Sequence, residues 1–171
     1  MKCIFVKNHR EAIKDFELVK SKNKNGVIMD HSYDFYIGLS YLQLNQLQKA
    51  EEYLKNSIDY SEKHWKAAHF NEYFYLGIIK MEQENLIEAN QLFDKVIGIY
   101  KEFPDALYYK ALLLEQQNKY LEAKQIIEQA IMNMTKGYSI NEDNAKYEDY
   151  PYQIKRDWLT YELEIINKKL G

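Results

Sequence analysis

The sequence predicts an all-α fold in which antiparallel helix pairs stack into an α-solenoid. Three observations point there. Apolar residues recur at helical spacing along almost the whole chain. The 171 residues include only 6 Gly and 2 Pro, too few for a turn-rich all-β fold. Small and apolar residues also repeat in register. Gly77 to Ala111, Ala89 to Ala123 and Phe93 to Ile127 each span 34 positions. Gly38 to Gly77 and Ala50 to Ala89 span 39, the same period with a five-residue insertion. Independent positions sharing one offset are the mark of a repeat architecture.

The elements follow in order. A first helix is expected from His9 to Lys20, with Ala12, Phe16 and Val19 on one face. Ala12 lies 38 positions before Ala50, so this helix reads as the second half of an incomplete repeat. Ser21 to Gly26 is a polar break, and Asp30 is placed to cap a helix from His31 to Leu44. Asn45-Gln46 turns the chain into a helix from Leu47 to about His64. Trp65 to Phe70 leads into a helix ending near Gln83, and Glu84-Asn85 turns into the next, Leu86 to Glu102. Pro104 suits the first turn of a helix, where its missing N–H is not needed; that helix ends near Gln117-Asn118. Its partner runs from Lys119 to about Lys136, and Gly137 stands where a glycine ends a helix. Tyr138 to Tyr150 reads as an acidic loop, and Pro151 can open a last helix carrying Ile154, Trp158, Tyr161 and Ile165 on one face.

Gly38, Gly77 and Ala111 have one structural task in this reading: they let two helix backbones approach, with Ala50, Ala89 and Ala123 as facing partners. Glycine inside a helix costs about 1 kcal/mol against alanine, so close packing must offset it. The stretch from Tyr73 to Phe93 holds one whole crossing and is the centre of the array.

These positions resemble the tetratricopeptide repeat family, whose pattern runs W-x2-L-G-x2-Y, then A-x3-F, then P. The first full repeat offers Ile37, Gly38, Tyr41, Ala50 and Leu54; the second Tyr73, Leu76, Gly77, Ala89 and Phe93; the third Leu107, Ala111, Leu114, Ala123 and Ile127. The half repeat offers Ala12 and Phe16. Asp34 stands at a Trp position, Lys80 at a Tyr position and Lys110 at a Leu position. The resemblance implies a single right-handed solenoid over 1–171. It divides into a half repeat (9–22), three repeats (31–64, 70–103 and 104–137), an acidic loop (138–150) and a C-terminal capping helix (151–170).

It also implies that the first helix of each repeat lines a concave groove. The chain is unusual there. Phe35, Tyr36 and Leu39, then Phe74, Tyr75 and Ile78, then Tyr108, Tyr109 and Leu112 occupy equivalent inward-looking positions, with Glu82 and Glu115 one helical turn further on. Burying one such ring fully is worth about 1.5–3 kcal/mol, so six bare rings in water are improbable. Neighbouring helices can bury one ring of each pair, the C-terminal helix can cover part of the surface, or a partner can fill it. The family's Lys/Arg/Asn clamp for a peptide carboxylate has no lysine or arginine at the matching positions. Glu82, Glu115 and Asp105 instead lean the groove toward basic partners.

Composition narrows the function classes. Net charge is −3 with acids and bases interspersed, and the sequence pI is about 5.9, which argues against nucleic acid. The lone Cys3 cannot form an internal disulfide, and the short apolar run Cys3 to Val6 is no signal peptide, so a cytoplasmic location is expected. His9, His31, His64 and His69 are scattered without metal-ligand spacing. The run Glu142 to Lys146 imitates a calcium loop, but Lys146 stands where an oxygen ligand is needed. No phosphate-cradling loop or nucleophile elbow is visible. No enzyme activity, cofactor, nucleic-acid or membrane partner is expected. The expected function is binding a protein or peptide, basic or aromatic and apolar in character. It would act as an adaptor, an escort, a homo-oligomeric structural subunit, or an immunity protein that neutralises a cognate toxin.

Overall fold

A computed structural model describes residues 8–23, 26–28, 30–140 and 150–171. The calcium-like run at 142–146 and Cys3 lie outside the described residues. Among those described there are eight α-helices and one two-stranded hairpin. The chain divides into two compact units, residues 1–85 and 86–171.

The first unit contains α1 (His9–Lys22), β1 (Val27–Ile28), β2 (His31–Ser32), α2 (Tyr33–Gln43), α3 (Leu47–Trp65) and α4 (Phe70–Glu82), and each helix packs on the one before it. Amphipathic α1 and α3 bury one stripe each: Ala12, Ile13 and Phe16, then Ala50, Leu54 and Ile58. In contrast, α2 is buried from Tyr33 to Leu42 on every side. The close approach read from Gly38 is present. A Cβ added there would lie 2.9 Å from Leu54 Cγ and 3.3 Å from the Ala50 carbonyl oxygen.

The start of α2 differs from expectation. Asp30 does not cap it; the residue sits in the hairpin turn with φ 66°, Val27 pairs with Ser32, and Ser32 is the N-cap. Polar side chains draw the chain into this arrangement. Ser32 Oγ donates to Ser57 Oγ, Ser57 and Ser61 donate to Glu72 Oε1, and Glu72 Oε2 accepts from the His69 N–H. His31 is sealed from solvent with its ring stacked 3.9 Å from Phe35, and its Nδ1 is 4.0 Å from Glu72 Oε1. Burial alone would raise the Glu72 carboxyl, but hydrogen bonds from His31, Ser57 and Ser61 outweigh it and hold it below the usual range.

The second unit contains α5 (Leu86–Ile99), α6 (Pro104–Gln116), α7 (Tyr120–Thr135) and α8 (Arg156–Leu170), with α6 packed on α5, α7 on α6 and α8 on α7. Ala89, Phe93 and Val96 form the buried stripe of α5, and Phe93 stacks 5.9 Å from Tyr109 of α6. Pro104 is the first residue of α6, and Gly137 takes a left-handed φ of 90° just beyond α7. Pro151 does not open α8. It lies in a turn, and the helix begins five residues later behind Lys155.

The turns within the pairs repeat in register. Asn45, Glu84 and Asn118 all have φ between 55° and 61°. The following N–H groups of Gln46, Asn85 and Lys119 return to the carbonyls of Tyr41, Lys80 and Leu114, each at 2.9 Å. These bonds satisfy a carbonyl that the helix end would leave bare. The offsets are again 39 and 34 positions.

The three departures from the repeat pattern each acquire a partner. Asp34 accepts from Lys20 Nζ at 2.5 Å, Lys80 reaches Glu51, and Lys110 reaches Asn90 and Asp94 at 2.7 Å each. A charge at a position the family fills with a large aromatic or aliphatic side chain is tolerated because its head group is paired.

Candidate partner-binding surface

The residues expected to line a groove fall into two classes. In the first unit Phe35, Tyr36, Leu39, Phe74, Tyr75 and Ile78 are all buried. Both rings of each aromatic pair are core there. Tyr36 stacks 5.5 Å from Phe16 and donates its hydroxyl to the Ile28 carbonyl, while Phe35 meets Tyr75 edge-on at 5.9 Å. The hairpin and α1 cover the Phe35–Tyr36 pair, and neither is visible as a groove lid in the helical periodicity. Glu82 is exposed at the end of α4.

In the second unit the pair splits. Tyr109 is buried, whereas Tyr108 remains partly exposed with Leu112 and Glu115, spaced along one face of α6. Residues 150–155 and α8 decide this division. The Ile154 N–H donates to Asp105 Oδ1 at 2.8 Å, and the Tyr109 hydroxyl donates to the Tyr152 carbonyl at 2.9 Å. Tyr150 and Ile154 are buried. From there α8 packs on α7, with Arg156 donating to Thr135 Oγ1 at 3.1 Å, and brings Trp158 beside Tyr108 at 6.2 Å between ring centres.

A mixed aromatic and acidic surface results, built from α6 and α8. Trp158 is 43% exposed and Tyr161 65% exposed. Glu162, one turn beyond Trp158, is 8% exposed and faces Glu115. Burial first, and then the Glu162 carboxyl, push the Glu115 carboxyl up to about 7. Burial, Glu162 and Glu115 together push the Tyr108 phenol up to about 12. A carboxyl raised in this way is poised to hold a proton near neutral pH.

Sequence periodicity placed Trp158 and Tyr161 on one face of the last helix but did not single out Glu162. Its spacing of four from Trp158 puts it on the same face, a signal readable only once α8 is known to lie beside α6. Asp105, expected at the groove edge, is instead a buried anchor for the C-terminal segment; burial raises it to about 7 despite the Ile154 hydrogen bond. Among the described residues no group of three or more His, Cys, Asp or Glu is placed to hold a metal, and no helix is long and apolar enough to cross a membrane.

The sequence profile of the tetratricopeptide repeat family matches residues 36–64 and 104–133. Two segments of the chain thus match the tetratricopeptide repeat. Solved structures agree on the fold. Nearly identical tetratricopeptide-like repeats of a Podosopora anserina putative kinesin light chain match with TM-score 0.63 at 16% identity, over 96% of this chain and 80% of that one. Crystal structures of MamA match with TM-scores of 0.60 and 0.62 at 16% and 17% identity, over 95% of this chain and 89% and 80% of theirs. Among curated proteins no relative matches the sequence. At these identities the likeness shows an α-solenoid of repeat pairs and nothing finer. The two matched segments are most of α2 and α3, and α6 with most of α7, so the repeat that carries Tyr108, Leu112 and Glu115 is one of them.

Proposed function

We propose that this chain is a non-enzymatic protein-interaction module that holds a partner protein or peptide on the α6–α8 face of its second unit. The observation that carries the reading is the contrast between equivalent positions. Phe35, Tyr36, Phe74 and Tyr75 are sealed in the core, whereas Tyr108 and Leu112 stay accessible beside exposed Trp158 and Tyr161. Aromatic side chains supply large contact area at low entropy cost and are enriched where partners bind. The carboxyls of Glu115 and Glu162 favour a partner segment that is basic as well as apolar.

The repeats are a scaffold for binding, and they support an adaptor, an escort and an inhibitor equally. An immunity role predicts that the captured partner is a toxin whose activity stops in a stoichiometric complex. An adaptor leaves the partner active. A cytoplasmic setting suits both. Self-association through α8 is the competing use of this face, and light scattering at micromolar concentration separates it: a tight homodimer would cover Trp158 and Tyr161 itself.

The test is capture from the native host by the tagged chain, identified by mass spectrometry and repeated with Tyr108→Ala plus Trp158→Ala. Loss of the partner from the folded double variant supports the face; equal capture refutes it. Tyr75 and Tyr109 are unsuitable probes because both are core rings, and truncating them would report stability.

A further inference from the structure

We propose that the first unit carries a ligand site, a cleft between the β1–β2 hairpin and the end of α3 that takes a primary ammonium group carried on an apolar body. The site is built from residues of the first unit alone, so the inference goes beyond the α6–α8 face and does not depend on it.

The cleft exists because the first unit departs from the repeat at two places. Helix α3 has 19 residues where its equivalent α5 has 14. Leu47 and Leu86, which open the two helices, stand 39 positions apart, so the five-residue insertion is the extra length at the end of α3, Ser61 to Trp65. The second departure is the hairpin ahead of α2. Val27 and Asp30 from the hairpin, Trp65 from the extension, and Ala67, Ala68 and His69 from the connection to α4 enclose a cleft of about 480 Å³. Small-ligand sites are commonly of this size.

Both walls are held by the fold itself. Ser61 Oγ donates to Glu72 Oε1 at 2.9 Å, and the Tyr73 hydroxyl donates to Glu62 Oε1 at 2.6 Å; these bonds tie the extension to α4. Trp65 meets Tyr60 edge-on at 5.7 Å between ring centres. On the other side His31 of β2 stacks on Phe35 and meets His69 edge-on at 5.0 Å. A preformed cleft spares a ligand the cost of ordering it.

The lining selects the ligand. Val27 and Trp65, each 44% exposed, and the two alanines present apolar surface that water still reaches, and an apolar body would release that water. Asp30 is the one carboxylate among the described lining residues. His69 is engaged as the cap of α4, accepting from the Asn71 N–H and donating its own backbone N–H to Glu72. A carboxylate only accepts hydrogen bonds and an indole face attracts cations, so the pair suits an ammonium. One carboxylate is too few ligands for calcium or magnesium. A free amine and the lysine side chain of a partner share the ammonium chemistry.

The experiment titrates the full chain with phenethylammonium chloride and follows the indole N–H signals of Trp65 and Trp158, the two tryptophans of the chain, in a proton–nitrogen spectrum. Trp65 is expected to shift saturably while Trp158 stays in place. The neutral isostere 2-phenylethanol is expected to bind at least about fivefold more weakly, and Asp30→Asn to weaken the ammonium by a similar factor. Asparagine tolerates the left-handed turn at this position, where φ is 66°. Ala67→Leu enlarges an exposed side chain on the cleft wall and is expected to abolish binding by filling the space. Acetyl-lysine-methylamide separates the two sources. A saturable Trp65 shift that Asp30→Asn weakens points to a partner's lysine, and a shift by phenethylammonium alone points to a free aromatic amine. The proposal is overturned if neither cation shifts Trp65 saturably, if 2-phenylethanol binds as well as phenethylammonium, or if binding is unchanged in Asp30→Asn or Ala67→Leu. The comparison of cation and alcohol uses the parent chain, so it decides the matter even where a substitution disturbs the hairpin.

Discussion

Lys80 Nζ donates to Glu51 Oε1 at 2.6 Å, tying α4 to α3 at a position where the repeat pattern calls for tyrosine. Lys80 is nearly buried, and Glu51 also accepts from Lys55 at 2.6 Å and Gln83 at 2.9 Å. Burial alone would raise the Glu51 carboxyl, but the bonds from Lys55, Lys80 and Gln83 hold it down at about 2. A carboxyl depressed in the folded state stabilises above its unfolded value near 4 and loses that contribution as pH falls toward 2. Lys80→Met is therefore expected to cost on the order of 1–3 kcal/mol at pH 7 and progressively less at pH 3, read from urea melts at the two pH values. An equal cost at both would place the pair's contribution elsewhere.

Gly38 is where overpacking should show most. Its missing side chain leaves room for Leu54 and the Ala50 backbone, and a Cβ would sit 2.9 Å from Leu54 Cγ. Gly38→Ala gains helix propensity of about 1 kcal/mol yet must push α3 away or force Leu54 off its rotamer, at about 1–3 kcal/mol. The expected net result is a lower melting temperature. A higher one would mean that Leu54 yields freely.

Glu84 occupies a left-handed turn position that Asn45 and Asn118 fill elsewhere. Asparagine tolerates positive φ better than a long acidic side chain does. Glu84→Asn should therefore stabilise the chain by up to about 1 kcal/mol, and calorimetry would register a small rise in Tm. No change would indicate that Glu84 meets no strain there.

The C-terminal segment carries the opposite pH signature from Glu51. Asp105 and Glu115 both sit raised at about 7, Asp105 through burial and Glu115 through burial and then Glu162. A carboxyl raised in the folded state contributes fully below its unfolded value near 4, and that contribution declines as pH rises through 7. Hydrogen exchange in α8 should accordingly show less protection at pH 8 than at pH 5, beyond the intrinsic rate change. Asp105→Asn keeps an acceptor for the Ile154 N–H and removes one of the two titrations. It should make this pH dependence shallower and leave α8 better protected at pH 8 than in the parent chain. An unchanged slope would remove Asp105 from the account.

The repeat itself was legible because it is written in residue types with one structural use. Gly38, Ala50, Ala89 and Ala123 share offsets, and the left-handed turns at Asn45, Glu84 and Asn118 fall on the same ones. The helix periodicity located the α-helices to within a few residues because most bury a single stripe. The start of α2 was not legible, since the hairpin at 27–32 is held by Ser32, Ser57 and Glu72, residues far apart in sequence whose pairing has no local signal. The aromatic pairs were legible as a feature but not in their fate. Tyr36 and Tyr109 are covered by segments outside their own repeats, Phe16 with the hairpin in one case and residues 150–154 in the other. The candidate surface was half legible: Tyr108, Leu112 and Glu115 come from the repeat register, while Glu162 emerges only from the packing of α8.

The central claim is that the α6–α8 face takes the partner. Hydrogen-exchange mass spectrometry of the chain, alone and with the partner captured from its host, tests it most directly. The account predicts slowed exchange concentrated in residues 108–116 and 156–166, with Glu115→Gln plus Glu162→Gln diminishing the effect. Protection confined to other segments, with these two helices exchanging as in the free chain, would contradict it.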